Sequence, residues 1–197
     1  MQKSFAGLLA LAGWFAVIAQ YVLMLNNNVN TVSEATIRFF SYFTILTNIA
    51  VATYYTALLF DAPIARTKGL LSAVTVYIII VGLVYQVALR HIWDPQGLQK
   101  WVDELLHSVI PLGTLIYWGL FEKKGLRYSQ IFAWSIYPLA YLLFILIRGS
   151  ISGFYPYPFV NVTEIGMQQT LMNALIILAL FMVLSFAFIF INRKARK

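Results

Sequence analysis

Two short stretches hold residues whose types and spacing could do chemistry. In "DELLHSVIP", Asp103 and His107 stand four apart, on one face of a helix and close enough to interact. A histidine near its ordinary pKa can take a hydroxyl proton, and a carboxylate beside it can hold its tautomer. In "FFSYFTILTNIA", Ser41, Thr44, Thr47 and Asn48 are spaced by three, three and one. At about 3.6 residues per turn this predicts a single helical face. A hydroxyl, a histidine and an acid are the parts of a nucleophilic hydrolase. Asn48, Thr47 or Ser108 would then donate to an oxyanion. Spacing alone leaves other roles open, since an intramembrane histidine also serves as a packing donor or a proton relay, and a hydroxyl in a span is usually structural.

The elements that must position these residues are membrane spans. The chain has 197 residues, 61% hydrophobic and only 11% charged, and its apolar residues fall in long blocks. A block of about 20 such residues crosses the hydrocarbon core as a helix. Six qualify: about 5–25, 36–60, 69–89, 104–121, 130–147 and 167–191. The fourth is short, so it is expected to begin at the interface near Asp103. The expected fold is all-α, a polytopic membrane protein whose six transmembrane helices form one bundle, a single integral membrane domain over 1–197. The first block has Lys3 in front of it, as a signal peptide would. It is longer than a typical signal core and lacks a clean small-x-small site before "NNNVN", and it reads as a retained span.

The chain contains no cysteine, which excludes disulfides, thiol nucleophiles and cysteine metal sites. With two histidines, a His-rich metal site is not expected either, and no metal or cofactor is required. The net charge of +7 fits basic residues marking the cytoplasmic side better than a nucleic-acid partner. With both termini cytoplasmic, the inner segments hold Lys3, Arg66, Lys68, Lys123, Lys124, Arg127, Arg193, Lys194, Arg196 and Lys197, while Arg38, Arg90, Lys100 and Arg148 fall outside. The acids divide the other way, with only Asp61 and Glu122 inside.

In this orientation the strongly polar residues within spans share one depth. Gln20, the Ser41–Asn48 group, Gln86, His107, Ser108, Gln168, Gln169, Thr170 and Asn173 all fall in the outer half. The inner half holds scattered hydroxyls such as Thr53, Thr75, Thr114 and Ser185, which can bond back to a carbonyl one turn earlier. Interhelical hydrogen bonds account for single cases. Clustering at one depth predicts a polar pocket open to the outer leaflet.

Three motifs, "FSYFTILTN", "LLHSVIP" and "SGFYPYPF", in this order and spacing, resemble the androgen-induced / androgen-dependent membrane protein family, over nearly the whole chain. Its bacterial relatives are small six-span proteins, so the resemblance implies the bacterial cell (inner) membrane. Its animal members are threonine hydrolases that cleave fatty acid esters of hydroxy fatty acids. By position their catalytic threonine and the histidine of their H-x-x-x-P motif match Thr44 and His107. Their loop motif matches Gly153, Tyr157, Pro158 and Phe159, over the pocket. Aligning "RFFS" instead of "SYFT" would put Ser41 in the nucleophile position. Asp103 stands where animal members tend to carry an amide. Arg148 has no clear counterpart; it is a candidate for a substrate carboxylate or a snorkelling arginine. With Tyr157, Gln86 and Asn173 it makes up the expected substrate-binding set.

The expectation is an intramembrane threonine hydrolase whose partners are a lipid ester from the bilayer and the membrane lipids. The alternatives are a proton-coupled carrier using His107 and Asp103 as a relay, and a lipid-binding protein without ester turnover. The sequence leaves the oligomeric state open.

Overall fold

The computed structural model describes residues 1–27 and 30–194. Asn28 and Val29 of the first outer connection, and Arg196 and Lys197 of the basic tail, lie outside the described residues. Five helices are each long and apolar enough to cross a membrane, and a bent pair supplies a sixth. The protein is an all-helical, multi-pass integral membrane protein. The chain forms two compact units, Met1–Gly125 and Leu126–Lys197.

In the first unit, α1 (Gln2–Asn26), α3 (Phe43–Leu59), α4 (Leu70–Val84) and α6 (Ile110–Phe121) are the main helices. Helix α1 packs along α3, α3 on α4, α4 on α6, and α6 back on α1. Small residues let the backbones approach, as is usual where lipid supplies no hydrophobic drive between helices. A Cβ at Gly13 would lie 2.9 Å from that of Ala52 on α3.

The second span departs from the expected single helix. A short helix α2 (Val32–Phe39) precedes α3, and the two are bent by 71° across Phe40–Tyr42. The reason lies in "VSEATIRF". It is polar, its N-terminus is capped by Thr31, whose hydroxyl accepts from the Glu34 N–H, and it carries a Glu34–Arg38 ion pair. Such a turn cannot enter hydrocarbon cheaply, so the helix breaks where the apolar run begins. Ser41 consequently lies in the break, outside the helix that carries Thr44, Thr47 and Asn48.

The fourth span begins earlier than expected. Helix α5 (Gly97–Glu104) runs through a π turn, Leu105–Val109, directly into α6. His107 therefore sits mid-helix, not just inside a helix start. The third span also ends in a π turn, Tyr85–Leu89, after α4.

The end of unit 1 opposite His107 is more polar than expected. Lys3 bonds Asp61 at 2.6 Å. The Trp118 indole donates to Ser72 (2.8 Å), and Ser72 donates to Glu122 (2.6 Å), which also accepts the Lys123 N–H (2.9 Å). Burial pushes the Glu122 carboxyl above its usual range, partly offset by these hydrogen bonds. A carboxyl raised in this way binds its proton more tightly when folded, so stability falls as pH rises from the ordinary glutamate value through the raised one. Glu122→Gln keeps an acceptor for Ser72. It is expected to raise the thermal midpoint at neutral pH by a few degrees and to leave it unchanged well below pH 4.5, where both side chains are neutral.

In the second unit α7 (Gln130–Ser152) packs on α8 (Val162–Lys194). Helix α7 runs past the expected end at 147, so Arg148 lies on the helix and not in the outer connection. Gly153, at φ 69°, stops it in the left-handed conformation that glycine adopts at no steric cost. A break at Gly166 leaves one short turn before the long apolar part of α8, which matches the expected start at 167. Asn192 accepts the Leu126 N–H at 3.1 Å.

Candidate active site

Within unit 1 the structure brings the second-span and fourth-span motifs together. Asn48, fully buried, donates to two carbonyls: that of Thr44 at 2.9 Å, one turn back on α3, and that of Leu106 at 3.3 Å, on the π turn. Two carbonyls held by one amide nitrogen place the first turn of α3 beside the residue preceding His107. Both N–H bonds of Asn48 point at these acceptors, so the amide ties the two motifs together and is not positioned as an oxyanion donor. Thr44 and Thr47 are buried beside it. Thr44 belongs to the first turn of α3, where the positive end of the helix dipole favours developing negative charge. Ser41, in the break, donates its hydroxyl to the Ile37 carbonyl at 2.7 Å, at the end of α2.

His107 is oriented from three sides. Its Nδ1 lies 2.9 Å from the Asp103 carbonyl oxygen. A carbonyl only accepts, so Nδ1 carries the proton and Nε2 is left as the basic nitrogen. The Asp103 carboxylate, itself buried, lies 3.4 Å from the same Nδ1, placed to stabilise an imidazolium as it forms. The Tyr85 ring stacks on the imidazole at 4.1 Å and 14°, fixing the ring plane. Asp103 thus contacts His107 by its carbonyl as well as by its carboxylate.

The proline four residues after His107 has a geometric reason. Pro111 has no N–H, so the His107 carbonyl loses its helical partner, and the ring would clash with that carbonyl in a regular turn. The widened π turn absorbs the clash. The carbonyl faces Gly82 of α4 so closely that a Cβ there would lie 3.0 Å from it and 3.3 Å from Pro111.

A closed ring of polar side chains joins the two π turns. Gln86 donates to Ser108 (3.0 Å), Ser108 donates to Glu104 (2.6 Å), Glu104 pairs with Arg90, and Arg90 donates to Gln86 (2.8 Å). Gln86 and Ser108, expected to meet substrate, are thus members of a clamp, and the Ser108 proton is already committed to Glu104. Opening the ring by Glu104→Gln should loosen His107 without removing it. The expected result is a loss of about 1 kcal/mol of stability, with turnover reduced less than tenfold, checked by thermal midpoint and ester kinetics on the same preparation.

Arg148, Tyr157 and Asn173 belong to unit 2, where they organise one loop. The Arg148 guanidinium donates to the Phe154 carbonyl (3.3 Å) and lies over the Phe154 ring at 4.9 Å. Buried Tyr157 stacks on Phe159 at 5.1 Å, and Asn173 donates to the Phe159 carbonyl at 2.9 Å. His91 is exposed and outside the cluster.

Four residues of the site were missed in the sequence: Tyr85, Glu104, Arg90 and Gly82. Tyr85 and Glu104 adjoin residues already singled out, Gln86 and Asp103. Gly82 carries no sequence signal beyond being a glycine in an apolar span. Comparison of the chain with family models, with curated proteins and with solved structures gave no match.

Proposed function

We propose that this protein is an intramembrane hydrolase of lipid esters, with Thr44 as nucleophile and His107 as general base. The observation that carries the reading is the state of His107: Nδ1 is bonded to the Asp103 carbonyl with the carboxylate alongside, leaving Nε2 basic, on a turn tied through Asn48 to the first turn of α3. The motif resemblance to the threonine hydrolases of fatty acid esters of hydroxy fatty acids agrees with it. Thr44 Oγ1 attacks the ester carbonyl carbon while His107 Nε2 takes its proton. The tetrahedral oxyanion collapses, and the leaving alcohol takes that proton from Nε2. Water, deprotonated by Nε2, then releases the acid from acyl-Thr44. Ser41 supports the reading in one respect: its hydroxyl proton is committed to the Ile37 carbonyl at the end of α2.

A test is incubation of purified protein with a fatty acid ester of a hydroxy fatty acid, acid quench, and mass analysis of peptides. An acyl group on the peptide containing Thr44, absent in Thr44→Ala, is the expected result. Turnover without any acyl-enzyme would remove the nucleophile assignment. Absence of turnover over a broad panel of lipid esters would favour the second reading, proton-coupled transport or lipid binding. One observation favours the carrier form. Tyr55, Thr114 and Tyr117 place buried hydroxyls in the core of unit 1, and such groups can pass protons when hydrated.

A further inference from the structure

Helix α2 has three sides. Ala35 and Phe39 are buried. The Phe39 ring meets Tyr21 of α1 edge-on at 5.0 Å. The Tyr21 hydroxyl donates to Thr36 at 2.7 Å, because the Thr36 proton is already given to the Val32 carbonyl. A second side carries the Glu34–Arg38 ion pair. The third side is exposed and holds Val32, Ser33, Ile37 and, at the C-terminal end, Phe40. At about 100° per residue, its apolar residues stand roughly 150° round the helix from the ion pair.

Direction and depth say what covers this side. Helix α3 belongs to a span, and α2 is bent 71° from it. Spans tilt by about 20° from the bilayer normal, so α2 lies nearer the membrane plane than the normal. Helix α1 has 25 residues, roughly 37 Å at about 1.5 Å per residue, against about 30 Å of hydrocarbon. Tyr21 stands five residues before its end at Asn26. With α1 centred, the contact with α2 therefore falls about 4 Å inside the hydrocarbon boundary. The exposed apolar stripe of α1, Leu8, Leu11, Phe15, Ile18 and Val22, runs up to the residue next to Tyr21, so the lipid-facing surface of that span reaches α2.

We propose that α2 is an in-plane interfacial helix, with Val32, Ile37 and Phe40 seated in the glycerol–acyl boundary of one leaflet. An amphipathic helix lying this way buries its apolar side about 5–10 Å into that boundary and keeps its charges among the headgroups, where the Glu34–Arg38 pair then stands. Phe40 precedes Thr44 by four residues, so the depth of α2 sets the depth at which the first turn of α3 begins. The inference stands apart from the ester chemistry.

The chain has no cysteine, so Val32→Cys, Ile37→Cys and Phe40→Cys each give one spin-label position on the full chain, reconstituted in phosphatidylcholine vesicles. The measurement is label depth, read from relaxation by oxygen, which concentrates in hydrocarbon, against a nickel chelate, which stays in water. All three labels should be accessible to oxygen and protected from the chelate. Val32 and Phe40 should differ in depth by about 4 Å, the roughly 12 Å of helix between them projected at the 71° bend. A straight continuation of the span would give the whole difference of about 12 Å. That gradient, or chelate access at all three positions, would overturn the proposal. Labels immobilised and shielded from both reagents would overturn it too, and would assign the face to a protein partner. All three positions are exposed, so the substitutions read environment and not folding.

Discussion

Replacing His107 by alanine is expected to lower ester turnover by about 10²- to 10⁴-fold, the range a positioned general base contributes. Thr44→Ala should remove the acyl-enzyme route altogether, and Ser41→Ala should stay within a few-fold of wild type. The double variant should be no worse than Thr44→Ala, because a nucleophile and its base act as one unit. Asp103→Asn is the finer probe. It leaves the Asp103 carbonyl that fixes Nδ1 and removes only the charge 3.4 Å away. Turnover should fall less than in His107→Ala, with KM little changed, since the carboxylate acts on the forming imidazolium. The measurement is steady-state hydrolysis in detergent, with helical content and thermal midpoint checked for each variant. Loss in Ser41→Ala with activity retained in Thr44→Ala would move the nucleophile into the break between α2 and α3.

Gly82→Val should be the most damaging substitution outside the reacting groups. Its first added atom would meet the His107 carbonyl at 3.0 Å and the Pro111 ring at 3.3 Å, and neither is a flexible chain end. Overpacking of this kind costs about 1–3 kcal/mol. The strain falls on the turn that holds the histidine, so activity should suffer beyond what stability explains. Gly119→Val, on α6, is the control, because a Cβ there meets nothing within 4 Å. A lowered midpoint and lost turnover in Gly82→Val, with Gly119→Val near wild type, is the expected pair of results. Equal behaviour of the two would mean that the α4 contact does not position His107.

The spans were legible because hydropathy is a sum over about twenty residues, and the sum tolerates local exceptions. Their interruptions were not. The break at Phe40–Tyr42 depends on a few polar residues in "VSEATIRF" overruling an apolar run, and the π turn at Leu105–Val109 depends on a clash between Pro111 and a carbonyl four residues back. Both are local events that an average over a span erases. In the site, the pair Asp103 and His107 was legible because four residues is a contact distance on any helix. The single helical face drawn through Ser41 and Thr44 assumed an unbroken helix, and the chain breaks between them. Tyr85 was passed over because an aromatic ring in a span reads as packing, and its stacking on an imidazole is a fact of tertiary structure. The tie from Asn48 to the Leu106 carbonyl joins residues 58 apart, a separation at which sequence spacing carries no geometry.

The bend before α3 bears on the arithmetic of crossings. A helix that dips in and turns back changes no side, and one that traverses changes it. Near one end of α1, Lys3 bonds Asp61, two residues past the end of α3; toward the other, Tyr21 bonds Thr36, on the helix just before it, at 2.7 Å. Helix α3 therefore retraces the length of α1 in the opposite direction and counts as a full traverse. Within unit 1 the break therefore shortens the apolar run of the second span without turning the chain back on itself.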